Sequence, residues 1–333
     1  MSSAVFYKFL AIVAVIGLGW IVGRARWLGE GDVGRVLSNV TFLVFAPPLL
    51  FRTAARINFS TMPWELLFAY FGVAIGFVVV VYIWRRRVDA RKQVGSISPE
   101  SAAAPSVWAI SASFGNTVQM GIPVAAALFG EAGLSLHLTI VSMHALTLLA
   151  VLTVLVELDV ARAHATAGGA GLRLWPTLVQ TVRNTVIHPI VLPVVCGLLW
   201  NLLGLGIATP VDDILQMLGQ AVVPVCLLAI GMSLASSAVK GTLGSAIWIS
   251  VAKLVVMPAL VLVIGHWGAG MSGLPLMVMV MCAALPTGSN AMMFSLRYRS
   301  MEAETTMAII LSTIGFMAMA PFWLAATAWV SAR

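Results

Sequence analysis

Ten apolar segments, each about 20 residues long, follow one another along this chain of 333 residues. A helix of that length is about as long as the hydrocarbon core of a bilayer is thick. Apolar residues make up 60% of the chain and charged residues 9%, whereas about 25% of the residues of a soluble domain are charged. The sequence therefore predicts an all-α, multi-pass membrane protein in a lipid bilayer, with no soluble domain.

The predicted spans lie at approximately 4–23, 36–54, 65–84, 106–129, 136–157, 184–203, 211–236, 244–264, 273–296 and 305–330. The first span lacks the basic leader and the cleavage site of a signal peptide, so we expect it to be retained. The three cysteines all lie in apolar runs, and they predict neither a disulfide nor a metal site.

Spans four and nine contain residues that disfavour a helix. These residues are Gly115, Asn116, Gly121, Pro123, Pro286, Gly288 and Asn290. Proline lacks a backbone donor, and glycine and asparagine tolerate non-helical angles, so both helices are expected to break near mid-depth. Backbone groups freed inside a membrane must be covered by protein or line a polar cavity, and two broken helices in matching halves are typical of transporters.

The cationic residues predict the orientation, because short loops rich in Lys and Arg stay in the cytoplasm. Fourteen of the 19 Lys and Arg residues follow odd-numbered spans, four lie on the opposite side, and Lys253 lies inside span eight. Both termini are therefore expected outside the cytoplasm, with the chain in the inner (plasma) membrane. The net charge of +7 follows from this loop bias and does not indicate nucleic-acid binding.

The two halves of the chain are predicted to be inverted repeats. The loop between spans three and four carries five cations, whereas its counterpart between spans eight and nine carries no permanent one. Pro48 and Pro224 are 176 positions apart, and Asn116 and Asn290 are 174 positions apart. Spacing and topology thus predict two five-helix repeats, 1–160 and 178–333, joined by a short cytoplasmic connector, 161–177. Sequence identity between the halves is negligible, so chance spacing is the alternative.

Four segments carry a resemblance to a known family: G-W-I-V-G-R-A-R-W-L (19–28), F-G-N-T-V-Q-M-G-I-P (114–123), H-P-I-V-L-P-V-V-C-G-L-L-W-N-L-L-G-L (188–205) and V-P-V-C-L-L-A-I-G-M-S-L (223–234). In this order, on ten spans, they resemble the auxin efflux carrier family, which includes plant PIN carriers and bacterial malonate and malate carriers. The resemblance extends over essentially the whole chain.

This resemblance implies the architecture of sodium/proton antiporters and bile-acid transporters, in which a scaffold domain holds a transport domain and broken helices four and nine cross near the midplane. It also implies a secondary carrier that moves a small organic anion by an elevator mechanism. The chain departs from the family at His188-Pro189, where Asn-Pro is usual, and its connector is short. The short connector favours a bacterial carrier of a small carboxylate, such as malonate or malate, over an exporter of an auxin-like acid.

The helix breaks supply the candidate substrate site. The half-helix that starts after each break presents unpaired N–H groups and a partial positive charge, which together attract a carboxylate. The candidate substrate-binding residues are Asn116, Thr117, Gly121, Pro123, Pro286, Thr287, Gly288, Ser289 and Asn290. The alternative is that these residues only cap the broken helices and let neighbouring backbones approach.

Two ionisable residues inside the spans are candidates for charge compensation or coupling. Lys253 lies about nine residues into span eight, and it either bonds backbone carbonyls as a structural strut or attracts the anion. The strut is favoured, because span eight is assigned to the scaffold and away from the crossover. His144 in span five either bonds a neighbouring helix as a neutral ring or relays a proton, which would make a proton the coupling ion.

Two other classes of function stay open. One is a cation-coupled symporter or cation/proton antiporter of the same architecture, although no Asp or Glu lies at mid-depth to hold a cation. The other is a membrane enzyme or sensor, although the polar cluster Glu157, Asp159 and His164 lacks metal-ligand spacing. We expect no enzyme activity, no cofactor and no metal, and the sequence leaves a homodimer open.

Overall fold

The computed structural model describes residues 3–29, 31, 33–56, 63–92, 99–166, 179, 183, 191–236 and 243–332. The first helices are α1 Ser3–Ala25, α2 Val33–Val40, α3 Ala46–Ala55, α4 Trp64–Lys92, α5 Pro99–Ser113 and α6 Gly121–Thr166. The later helices are α7 Val191–Leu202, α8 Thr209–Gln220, α9 Val222–Ser236, α10 Leu243–Val251, α11 Met257–Val263, α12 Gly273–Ala284, α13 Ser289–Tyr298 and α14 Glu302–Ser331.

Among the described residues, six helical segments are long and apolar enough to cross a membrane, judged by length and composition: Val33–Ala55, Trp64–Arg91, Gly121–Val160, Thr209–Ala235, Leu243–Gly268 and Glu302–Ser331. Three shorter apolar helices accompany them, at Leu10–Ala25, Leu192–Leu202 and Gly273–Ala284. Many large apolar side chains, such as Phe68 and Met217, point outward. The chain is a multi-pass membrane protein, and its apolar exterior suits contact with lipid.

Two of the predicted spans are widened by π-helical turns. Thr41–Phe45 joins α2 to α3, and Ala252–Val256 joins α10 to α11. Proline follows each turn closely, at Pro47 and Pro258. Because proline has no N–H to donate to the preceding turn, a wider turn there accommodates the lost bond. A third π-helical turn, Ile264–Gly268, follows α11.

Helix α6 is bent at Gly130, where φ is 67° and ψ is −162°. This backbone conformation is open to glycine and strained for other residues. The bend separates a half-helix of residues 121–129 from the long helix of residues 131–166, so predicted spans four and five are distinct. The connector predicted at 161–177 is helical as far as Thr166. Its remainder and His188-Pro189 lie outside the described residues.

The helices pack in two groups. The first packing group contains α1, α2, α3, α7, α8 and α9, with α1 against α9 and α3 against α7 and α8. The second packing group contains α4, α5, α6 and α10 to α14. The groups meet mainly where α6 contacts α1, α3 and α9, and Leu50, Ile122 and Val222 belong to one apolar cluster at this contact. Span eight therefore belongs with the broken helices, and assigning it to a scaffold away from them was wrong.

Candidate functional site

Both predicted helix breaks are present, and they lie against each other. Residues 114–120 separate α5 from α6, and residues 285–288 separate α12 from α13. Gly115 and Thr287 form an isolated antiparallel bridge between the two segments. We call these two paired segments the crossing.

Two backbone hydrogen bonds hold the crossing together. The N–H of Asn116 donates to the C=O of Pro286 at 2.7 Å, and the N–H of Gly288 donates to the C=O of Phe114 at 2.8 Å. Each break frees donors and acceptors that have no water to bond inside a membrane. The pairing satisfies four of these groups, so each broken helix stabilises the other.

Glycine is required at the crossing and at the start of α6, because neighbouring atoms lie close to its Cα. A Cβ added to Gly288 would lie 2.8 Å from the carbonyl oxygen of Gly115. A Cβ added to Gly121 would lie 2.5 Å from Nε2 of His137. Pro123 and Pro286 are also buried. These four candidate residues, Gly121, Pro123, Pro286 and Gly288, are all buried and have no polar side-chain atom to offer a ligand.

The two threonines of the predicted site are bonded to neighbouring elements. Thr287 is fully buried, its Oγ1 donates to the C=O of Ser111 at 2.8 Å, and its N–H donates to Oγ of Ser312 at 3.0 Å. The C=O of Thr117 lies 2.7 Å from Nε2 of His137. These bonds fix the crossing against α5, α6 and α14.

The more accessible candidates are Asn116, Ser289 and Asn290. Ser289 is exposed and the two asparagines are half-buried. Nδ2 of Asn116 donates to Oε1 of Gln119 at 3.2 Å. Gln119 was missed in the sequence, although a polar residue three positions after Asn116 in an apolar run was a visible signal. These side chains have hydrogen-bonding capacity left for a ligand.

Helices α6 and α13 both begin at the crossing. Gly288 precedes α13 with an extended backbone and without a side-chain cap. Within the described residues, the N–H groups of Ser289 and Asn290 have no hydrogen-bond partner. Free N–H groups and the positive end of the helix dipole form a binding site for an anion.

Lys253 reaches the crossing from the π-helical turn Ala252–Val256. Its side chain is fully buried, and Nζ donates to the C=O of Ala283 at the end of α12, where the helix dipole is negative. Sδ of Met257 lies 3.8 Å from Nζ of Lys253, and a Cβ built on Gly115 would lie 3.5 Å from the same Nζ. Among the described residues, no carboxylate forms an ion pair with Lys253.

His144 is also buried beside the crossing. Its ring lies edge-on to Phe114, with centroids 4.7 Å apart, and its Nδ1 is 3.4 Å from Oη of Tyr70. Sγ of Cys282 is 3.5 Å from the same Tyr70 oxygen. Neither Tyr70 nor Cys282 was predicted as a site residue, because each occurs singly in an apolar run.

The acidic cluster at the far end of α6 binds neighbouring helices. Oδ2 of Asp159 accepts a hydrogen bond from Tyr82 at 2.6 Å, and Oδ1 lies 3.3 Å from Arg86. Glu157 accepts one from Tyr298 at 2.9 Å. Burial, aided by the Glu157 carboxylate, raises the pKa of Tyr298, so its hydroxyl stays a donor. Within the described residues, no group of three or more His, Cys, Asp or Glu could hold a metal ion.

A helical multi-pass membrane protein whose two broken helices pair inside the protein has the features of a membrane carrier. Residues 4–324 match the model of the family described as membrane transport protein, and the chain belongs to this family, the auxin efflux carrier family. The chain is similar to an "Uncharacterized transporter" of Methanothermobacter thermautotrophicus, at 25% identity over 94% of this chain and 95% of that protein.

A second relative is a "Putative malonate transporter" of Rhizobium meliloti, which is 25% identical over 45% of this chain and 47% of its own length. The family and both relatives are transporters and not enzymes. The protein is therefore a membrane transport protein.

Proposed function

We propose that this protein is a secondary carrier of a small organic anion, a carboxylate such as malonate, malate or an auxin-like acid. The observation that carries this proposal is the crossing: two helices begin there, and a buried lysine lies beside it. Two helix N-termini and one ammonium group form a positive environment that a carboxylate would offset.

The bound anion is proposed to accept hydrogen bonds from the N–H groups of Ser289 and Asn290. The side-chain amides of Asn116, Asn290 and Gln119 add hydrogen-bond donors that can rotate to meet the oxygens of the anion. Thr117, Thr287 and the glycines and prolines hold the two half-helices in place. Lys253, which lies beside the crossing, adds a positive electrostatic potential at the site.

The proposed movement is an elevator-type exchange of access. The second packing group contains the crossing, and it meets the first mainly through α6. We propose that the second group slides along this apolar contact and carries the anion across the inner membrane. Ten spans in two inverted five-helix repeats, 1–160 and 178–333, with both termini outside, would place the crossing at mid-depth.

A small carboxylate is favoured by the malonate named for one relative. The alternative, a cation-coupled symporter or cation/proton antiporter, needs ligands for the cation. Lys253 lies beside the crossing, and among the described residues no carboxylate forms an ion pair with it. A positive charge in that position repels a cation and favours an anion.

Uptake by the purified protein in liposomes tests the proposal. Malonate, malate and indole-3-acetate are offered under imposed proton, sodium or voltage gradients, and saturable uptake of at least one acid is expected. Sodium or proton exchange without transport of any carboxylate would contradict the proposal and support the alternative.

Asn116→Ala and Asn290→Ala test the site itself. Each removes hydrogen-bonding capacity for the anion, a loss of about 1 to 3 kcal/mol, so transport should fall roughly tenfold or more. Asn201→Ala is the matched control, because Nδ2 of Asn201 donates to the C=O of Ala54 in the first packing group, away from the crossing. Unchanged affinity and transport in both crossing variants would show that the asparagines are caps only.

A further inference from the structure

A chain of buried polar side chains leads from the crossing into the second packing group. It starts at Lys253, which donates to the C=O of Ala283, and it continues through Cys282 and Tyr70 to His144. Each of these four side chains is 1% exposed or less. These side chains link α4, α6, α12 and the π-helical turn to one another. Apolar side chains could fill the same space without leaving buried polar atoms that need hydrogen-bond partners.

The His144 end of this chain is incomplete. Nε2 of His144 is buried and has no hydrogen-bond partner among the described residues. Leaving a buried polar atom unpaired costs free energy, so such atoms are rare in folded proteins. Nδ1 faces Tyr70 at 3.4 Å. If Nδ1 carries the proton of the neutral ring and donates to Tyr70 Oη, the lone pair of Nε2 is a vacant acceptor.

The charge on this ring would be felt at the crossing. The ring packs edge-on against Phe114, whose C=O pairs with the N–H of Gly288. Among titratable and charged groups, Tyr70 from α4 contacts the His144 ring, and Cys282 from α12 contacts that tyrosine. Lys253 from the π-helical turn and His137 from the same helix act on the ring through their charge. Among these groups none is a carboxylate.

We propose that Nε2 of His144 is a proton-binding site that couples anion binding at the crossing to proton uptake. This inference rests on the proposed function. A proton that binds Nε2 forms one N–H bond and leaves an imidazolium near the Lys253 ammonium. Repulsion between the two cations opposes that step, and an anion at the crossing offsets it. The proton departs when the anion leaves, and Nδ1 keeps its bond to Tyr70.

Linkage fixes the direction of the coupling. Because the anion favours the proton, the proton favours the anion by the same factor. Anion and proton therefore cross in the same direction, as in a symporter. The affinity for the anion should rise about tenfold on acidification, within the usual range of such couplings.

The experiment measures protons and anion together. Malonate is added to the purified wild-type protein in weak buffer with a pH-sensitive dye, and uptake of up to about half a proton per bound anion is expected, which is the maximum for a tenfold coupling. His144→Gln keeps a polar side chain but cannot become a cation, and its proton uptake reports the titration of malonate alone. In liposomes, His144→Gln should still exchange labelled malonate for unlabelled malonate but should lose accumulation driven by a proton gradient.

His266→Gln is the matched control. His266 bonds the C=O of Met271 beyond α11, and its replacement should leave the proton-to-anion ratio unchanged. Tyr70→Phe removes only the hydroxyl beside Nδ1 and should weaken the coupling, which provides a second variant if His144→Gln does not fold.

Wild-type protein that exchanges malonate without binding a proton would overturn the inference and leave the proposed function intact. The same conclusion follows if His144→Gln keeps full coupling. Wild-type protein that neither binds nor exchanges any carboxylate would overturn the proposed function and this inference with it.

Discussion

Lys253 combines full burial with a formal charge. A charged lysine at the centre of a membrane helix costs about 2.5 to 3.5 kcal/mol on insertion scales. The C=O of Ala283 satisfies one of its three donors. This bond supports a structural role for Lys253, and its position 3.5 Å from a Cβ built on Gly115 supports a role in anion binding.

Lys253→Met separates these two roles. Met fills most of the same space without the charge, so the protein should still fold. Its affinity for the anion should fall about tenfold or more, which corresponds to the loss of one hydrogen bond or ion pair to a charged group. Lys253→Arg should keep part of the affinity, since the charge is retained. Binding is measured by calorimetry, with thermal unfolding of each variant alongside. A stable Lys253→Met protein with normal affinity would leave only the structural role.

Individual residues of the candidate site could be proposed from the sequence only where the backbone must be irregular. Asn116 and Asn290 stood out because asparagine interrupts an apolar run near glycine and proline. Tyr70 and Cys282 did not, because their contacts depend on which side chains face them across helix contacts. That information arises from packing and is not contained in spacing along the chain.

At the scale of helices, each half of the crossing depends on the other. The extended segments exchange two backbone hydrogen bonds, and Gly288 permits this approach because it has no Cβ. Any side chain at position 288 would separate the segments and leave their backbone groups unpaired inside the membrane.

Gly288→Ala should therefore destabilise the protein by about 1 to 3 kcal/mol through overpacking and should abolish transport. Gly72→Ala is the matched control. A Cβ on Gly72, inside α4, would meet no atom within 4 Å, and alanine is the better helix former by about 1 kcal/mol. Thermal unfolding and malonate uptake are compared for the two variants. Equal stability and uptake in both would show that the crossing can open by the width of a methyl group.

The helices themselves differed in how far the sequence predicted them. Non-helical segments lie at 114–120 and 285–288, where the sequence predicts breaks, because glycine and proline act locally on the backbone. The π-helical turns at Thr41–Phe45 and Ala252–Val256 were not predicted. A π turn changes the hydrogen-bond register by one residue and leaves the apolar pattern of a membrane helix almost unchanged, so hydropathy does not show it.

For the whole molecule, the class of protein was predicted and the grouping of its helices was not. Composition and segment length suffice for a multi-pass helical protein, since every apolar segment must find lipid or protein. They do not say which helices pack together. Span eight was assigned to the scaffold from the architecture that the resemblance implied. Its own sequence does not distinguish a lipid contact from the contact with α12 and α14 that the structure shows.

The orientation in the membrane is the remaining property of the whole chain that the sequence predicts. Fourteen cations follow odd-numbered spans and four lie on the opposite side. Each Lys or Arg held back in the cytoplasm favours the same orientation, so the bias is cumulative. It places the end of α4 inside and the loop between α7 and α8 outside.

Single cysteines in a background without Cys196, Cys226 and Cys282 test this orientation. Arg91→Cys lies at the exposed end of α4, and Gly206→Cys lies in the exposed loop before α8, where a side chain meets no atom within 4 Å. A membrane-impermeant maleimide applied to intact cells should label position 206 and not position 91, and lysed cells should be labelled at both. Removing Arg85, Arg86 and Arg87 together should weaken the difference, since these residues supply much of the bias in that loop. Labelling of position 91 alone in intact cells would reverse the orientation and place both termini in the cytoplasm.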